Sequence, residues 1–161
     1  MVSRRPVNSG VRRLEGSSMD VTQLPFNRLL RLEAMPAGSG ALISLPGGQQ
    51  YTNHLGTVHA SALLAVAEAG SGAFLVQQLG SGEGYIPVVR RVEAKFHKLA
   101  SGPVSARAVV PHGEVCRWSA DLAARGRVSA SVSIEVLDAA GAVVLSATVE
   151  WFIARGIPSS S

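Results

Sequence analysis

The apolar residues change their spacing part-way along the chain, dividing it into a helical first half and a strand-rich second half. Residues 57 to about 79 are rich in Ala, Leu and Val, a composition that predicts one long central helix. Ala60, Ala62, Ala65, Ala67, Ala69, Gly70, Gly72 and Ala73 give that helix little side-chain bulk, so a sheet can wrap closely around it. Before it, Leu24-Pro25-Phe26 opens a short amphipathic helix, with Phe26, Leu29, Leu30 and Met35 set against Arg28, Arg31 and Glu33. Residues 41–45 read as a strand ended by Pro46-Gly47-Gly48.

After the long helix the period becomes two, and four strands follow. In residues 88–99, Val92, Ala94 and Phe96 alternate with Arg91, Glu93, Lys95 and His97. In residues 104–110, Val104, Ala106, Ala108 and Val110 oppose Ser105 and Arg107, and Pro111-His112-Gly113 closes the run. Residues 127–137 set Val128, Ala130, Val132, Ile134 and Val136 against Ser129, Ser131, Ser133 and Glu135. Asp138-Ala139-Ala140-Gly141 is a hairpin turn into the last strand, residues 143–153. One apolar face per strand predicts an α+β architecture, an antiparallel sheet packed on the single long helix.

With 161 residues the chain has room for one core. Charge changes the picture only at the start. The formal net charge of +4 falls mostly on residues 1–18, where Arg4, Arg5, Arg12 and Arg13 face Glu15 alone. Removing those four from 15 basic residues and that one from 11 acidic ones leaves 11 and 10. Nucleic-acid binding is therefore not expected, since the body is nearly neutral and has no array of stacking aromatics. Residues 1–18 read as a disordered leader and residues 19–158 as the folded domain, with Met19 an alternative start. The leader has no apolar stretch after its arginines, so no secretory signal is expected. The longest apolar stretch, residues 60–79, is interrupted by Glu68 and by Gly70-Ser71-Gly72 and reads as a core helix, so no membrane association is expected. A single cysteine, Cys116, excludes an intrachain disulfide and a cysteine-held zinc, and it fits the cytoplasm.

The polar concentration with chemistry attached is Asn53-His54-Leu55-Gly56-Thr57-Val58-His59-Ala60 at the start of the long helix, with Glu68 inside it. A helix N-terminus presents unpaired N–H groups, so amides near His59 and Ala60 can polarise a carbonyl oxygen. Glu68, if buried, becomes a base or nucleophile; if it faces solvent, it is inert. Eight residues of helix separate Ala60 from Glu68 by roughly 12 Å. One carbonyl cannot touch both, so joint action requires two chains with their helices antiparallel across a two-fold axis.

The stretches NHLGTVHASALLAVAEAGSG, VVRRVEAKFHKLASGPVSARA and RGRVSASVSIEVLDAAGAVVLSATVEWFI resemble the hotdog-fold thioesterases, most of all their PaaI-type and DUF4442-like branches, over residues 24–153. In that family a polar Asn or Gln precedes the helix, a His-Gly pair starts it, and an Asp or Glu follows eight residues after the Gly. Asn53, His59-Ala60 and Glu68 match that spacing, with Ala60 in place of the glycine. The resemblance implies a hotdog fold, a dimer or dimer of dimers, and hydrolysis of an acyl-coenzyme A thioester. Coenzyme A would enter only as part of the substrate, with no separate cofactor and no metal. It implies that Asn53 orients the carboxylate or a water, that the Ala60 amide holds the oxyanion, and that Glu68 of the neighbouring subunit is base or nucleophile. His59 contacts the thioester or is a structural hydrogen-bonding residue, and Gly56 and Thr57 lie beside the substrate. A hydroxyl residue one turn beyond the carboxylate positions water in some relatives; here Gly72 stands there, beside Ser71.

Arg90, Arg91, Lys95 and Lys98, with Arg125 and Arg127, are candidates for the coenzyme's phosphates, or else cations of a solvated strand face. Trp118 and Trp151 read as core or interface aromatics. Two rival readings keep the fold. One is a non-catalytic acyl-CoA-binding module; the other is a hydroxyacyl-thioester dehydratase using His54 and Glu68, fourteen residues apart. The dehydratase pattern needs a Pro-Gly turn five residues before the carboxylate, where this chain has Ser61-Ala62-Leu63-Leu64.

Overall fold

A computed structural model describes residues 19–80 and 84–156. The expected leader, residues 1–18, and residues 157–158 of the expected domain lie outside the described residues. The elements run α1 (Pro25–Leu29), β1 (Glu33–Ala34), β2 (Ile43–Leu45), α2 (Ala60–Leu79), β3 (Tyr85–Phe96), β4 (Val104–Ala108), α3 (His112–Arg125), β5 (Arg127–Asp138) and β6 (Val143–Arg155). The strands form one antiparallel sheet in the order β1-β2-β4-β5-β6-β3, and α2 lies across its concave side. This is the expected hotdog arrangement, one long helix held in a curved sheet.

The core holds the apolar face expected of β5, together with one face of β6. Val128, Ala130, Val132, Ile134 and Val136 of β5 and Leu145, Ala147, Val149, Trp151 and Ile153 of β6 are all buried. They lie side by side in register, Val132 opposite Val149 and Ile134 opposite Ala147. In the β5–β6 turn, the Asp138 carboxylate accepts from the Ala142 and Ala140 amides; the Ala142 bond first and Lys98 next hold its pKa below the usual carboxylate value.

The small residues of α2 let the sheet approach. A Cβ on Gly70 would come within 2.7 Å of the Ala106 Cβ on β4, so glycine is what allows this helix-to-strand contact. By length and mean hydropathy, 1.3, α2 would pass for a membrane span; its packing against the sheet makes it the core helix instead.

Four expectations from the pattern need correction. The long helix starts at Ala60 and not at residue 57, because His59 is still extended and caps it, its ring Nδ1 accepting from the Ser61 amide at 3.0 Å. α1 has only five residues, and its apolar side chains do not turn inward: Phe26 is 62% exposed and Leu29 76%. Asn27 is the buried residue, donating to the Val21 carbonyl at 2.8 Å. The region after Pro111 is a helix, α3, whose Val115, Trp118 and Leu122 pack inward at three- and four-residue spacing and whose last turn ends on left-handed Gly126. Finally, β3 is not covered by α2. It is the edge of the sheet, and Val92 and Phe96 remain 43% and 47% exposed.

Candidate functional site

The start of α2 is held by its own loop. The Asn53 side-chain oxygen accepts from the Leu55 and Thr57 amides at 2.9 and 3.2 Å, and its amide nitrogen donates to the Thr57 hydroxyl at 3.0 Å. Gly56 takes the left-handed turn conformation, φ 74°, that closes this loop. The loop is anchored at both ends, His59 donating to the Tyr51 carbonyl and Val58 to that of Ala100. Asn53 and Thr57 therefore bond one another and fix the helix entry.

His59 is exposed, and its Nδ1 is occupied as the helix cap. Ala60 is the first helical residue, and among the described residues its amide has no acceptor. Ala60 lines a cleft of about 350 Å³ with Asn53, Leu63, Phe96, His97 and Lys98. A positive helix end with an unpaired donor in a cleft can hold a developing negative oxygen.

Glu68 opens on a different cavity, two helical turns further on. It lines a space of about 380 Å³ with Val21, Leu24, Gly72, Leu75, Val76, Leu79, Tyr85 and Trp151 among the wall residues. Glu68 is half-buried, and loss of water around it pushes its pKa above 4.5. Among the described residues no cation or donor offsets that push. A carboxylate poorly solvated at an apolar mouth is a stronger proton acceptor than one on the surface.

One wall of this cavity is tied directly to the helical turn that carries Glu68. The buried Ser71 hydroxyl accepts from Trp151 Nε1 at 2.9 Å and donates to the Glu68 carbonyl at 2.7 Å. Trp151 is thus a cavity wall as well as a core residue, whereas Trp118 is core. The serine hydroxyl is fully engaged. This tie was invisible in the sequence because its two residues are eighty apart.

The candidate cations are placed less favourably. A bulge between Val89 and Arg91 lets consecutive arginines share one face. Arg90 lies over the Phe152 ring at 5.2 Å, while Arg91 and Lys95 sit opposite Glu150 and Ser146 on the face away from α2. Arg91 pairs with Glu93, and Arg125 approaches Asp121 at 3.8 Å. Of the β3-side set, only Lys98 lines the Ala60 cleft, and it also pairs with Asp138 at 3.1 Å. His54 is exposed and lines neither of these two cavities.

The fold is shared with solved structures. A protein of unknown function from Pseudomonas aeruginosa, called a probable thioesterase, superposes with a TM-score of 0.72 at 22% identity, covering 84% of this chain and 91% of that one. A Bacillus halodurans protein solved with CoA gives 0.61 at 20% identity, covering 80% and 74%. A Haemophilus influenzae thioesterase gives 0.64 at 14%, covering 88% and 90%. No curated protein matches the chain. Residues 30–153 match a family described as a domain of unknown function, DUF4442, and the chain, with its hotdog fold, belongs to that family.

Proposed function

We propose that the protein hydrolyses acyl-coenzyme A thioesters at a site completed by two copies of the chain. The observation that carries this reading is the division of the chemistry: Glu68 lines one cavity and the free Ala60 amide another, on the same helix. Two antiparallel helices across a two-fold axis would bring the Glu68 of one copy to the Ala60 amide of the other. The uncovered apolar side of β3, with Val92, Ala94 and Phe96, favours such pairing, because a long bare edge strand is otherwise an aggregation hazard. The fold relatives called thioesterases, and the one solved with CoA, support the substrate class.

In this reaction the thioester oxygen accepts from the Ala60 N–H, and the acyl group enters the Glu68 cavity. Glu68 takes a proton from water as it adds to the carbonyl carbon, the C–S bond breaks, and the proton passes to the departing sulfur. In the covalent variant Glu68 adds to the carbonyl carbon, the C–S bond breaks and the thiolate leaves; water then cleaves the mixed anhydride, freeing the acid and the Glu68 carboxylate, and its proton goes to the thiolate. His59 and Asn53 fix the geometry of the oxyanion donor, with Gly56 and Thr57 shaping its loop. Lys98 serves the coenzyme's phosphates at the Ala60 cleft, and Arg90, Arg91 and Lys95 take part only if the coenzyme crosses the β3 edge.

Free-thiol release from a panel of acyl-CoAs, with wild type beside Glu68→Ala, tests the proposal. Loss of a positioned base is expected to cost at least about 100-fold in kcat while coenzyme A binding persists. Wild-type protein that binds acyl-CoA and releases no thiol would instead be a non-catalytic binding module.

A further inference from the structure

We infer that the cavity beside Glu68 takes a straight, unsubstituted aliphatic acyl chain, and that the Gly72–Trp151 pair sets how long a chain fits. The inference rests on the hydrolytic reading for its chemistry, but its physical basis is separate. Along its helical side the cavity is walled by Leu75, Val76 and Leu79, and its other walls include Val21, Leu24 and Ile153. Glu68 and Tyr85 bring the polar side-chain atoms left to a ligand, because the Trp151 N–H is already consumed by Ser71. A charged or heavily hydroxylated acyl group would lose its water here and find few partners.

Volume bounds the length. A liquid water takes about 30 Å³ and a methylene is of similar size, so 380 Å³ admits roughly a dozen carbons, and eight to twelve is the expected range. Each added methylene that leaves water strengthens binding roughly fourfold until the cavity is full. The profile should therefore climb with chain length and then break.

Gly72 is placed to control that break. It stands one turn beyond Glu68, on the same helix face, and a Cβ there would lie 3.7 Å from the Trp151 ring and 3.8 Å from Val21. A methyl group fits at ordinary contact distance; a longer side chain must project into the cavity. The missing side chain thus supplies depth next to the carboxylate, against an indole locked by Ser71.

The test compares wild type, Gly72→Ala and Gly72→Leu on butanoyl-, octanoyl-, decanoyl-, hexadecanoyl- and benzoyl-CoA, with thermal melts establishing that each variant folds. The ratio of decanoyl to butanoyl kcat/KM is expected to fall at least about tenfold in Gly72→Leu. A binding arm needs no turnover: 1-decanol titrated into each protein, read by tryptophan fluorescence, should perturb wild type and lose its effect in Gly72→Leu. Decanol binding lost on substitution, in a protein that hydrolyses no thioester, supports the cavity and sinks the hydrolytic reading. Turnover with an unchanged ratio in folded Gly72→Leu, a preference for benzoyl- over decanoyl-CoA, or decanol without effect on wild type overturns the inference while leaving hydrolysis standing.

Discussion

Replacing Ser71 by Ala removes one oxygen and exposes how the cavity wall is held. Ser71 is fully buried, and its hydroxyl is the acceptor for Trp151 Nε1. Without it the indole N–H has no partner in a space lined by carbon, a loss that costs about 1–3 kcal/mol. Two effects act the other way. The Glu68 carbonyl keeps its place in the helix ladder, and Ala is a better helix former than Ser by about 0.5 kcal/mol. The donor's cost is the larger, so Ser71→Ala should destabilise by about 1–2 kcal/mol, a fall in Tm of roughly 2–8 °C for a chain of this size. Urea unfolding of wild type, Ser71→Ala, Trp151→Phe and the double variant gives the coupling directly. Once Trp151 no longer carries an N–H, removing the serine oxygen should cost about 1 kcal/mol less than it does in wild type. A variant as stable as wild type, together with additive effects in the double variant, would show that the bond contributes nothing and that the indole is held by packing alone.

Three further outcomes follow from the same geometry. Gly70→Ala and Gly72→Ala gain the same helix propensity, up to about 1 kcal/mol, but differ in space. The first puts its methyl 2.7 Å from Ala106 and should lose about 1–2 kcal/mol net; the second meets nothing closer than 3.7 Å and should gain stability, both read by urea unfolding. Phe96→Glu charges the bare face of β3, so size-exclusion chromatography with light scattering should show smaller particles than wild type and lower thioesterase turnover; wild type already monomeric at micromolar concentration would refute the shared site. Glu68 has a pKa raised in the folded chain, so the folded state holds its proton more tightly than the unfolded one, and stability is lost as pH rises from the unfolded value through the folded one. Glu68→Gln should therefore raise Tm relative to wild type at pH 7 more than at pH 4, while turnover by wild type should have an acid limb above pH 4.5; a Tm difference independent of pH would contradict the burial argument.

How much of this was legible in the sequence depended on whether an element's partners were regular. β5 could be read residue by residue, since its inward Val, Ala and Ile residues alternate with Ser and Glu, and β6 could be placed beside it from the turn between them. β3 shows the same alternation, yet the pattern says only that one side is apolar, not what covers it. α3 was missed although its spacing was present, because Pro111-His112-Gly113 looks like a turn and its inward residues, Val115, Trp118 and Leu122, stand among charged and small ones. The burial of α1 was inverted because five residues are too few to build an apolar stripe, and a single side-chain bond from Asn27 to Val21 decided which residue went inside. The place of Arg90 was not legible either: the bulge between Val89 and Arg91 puts it on the same face as Arg91, and no spacing rule reveals a bulge in advance.

Glu68 was found from sequence because a lone carboxylate on an apolar helix is conspicuous; what gives it a setting was not, since that setting comes from elsewhere in the chain. Within one turn of α2, helical geometry sends four neighbouring residues to separate tasks. Glu68 and Gly72, four apart, share the cavity face; Gly70 points its missing side chain at β4; Ser71, three beyond Glu68, ties that turn's carbonyl to Trp151. The rise of a packed helix fixes the roughly 12 Å between Glu68 and Ala60. For the proposed hydrolysis, in which both groups act on one carbonyl, the gap has to be closed by a second copy of the chain. The uncovered face of β3 gives a second copy a reason to dock, so a requirement of chemistry and an unpaid surface point to the same event.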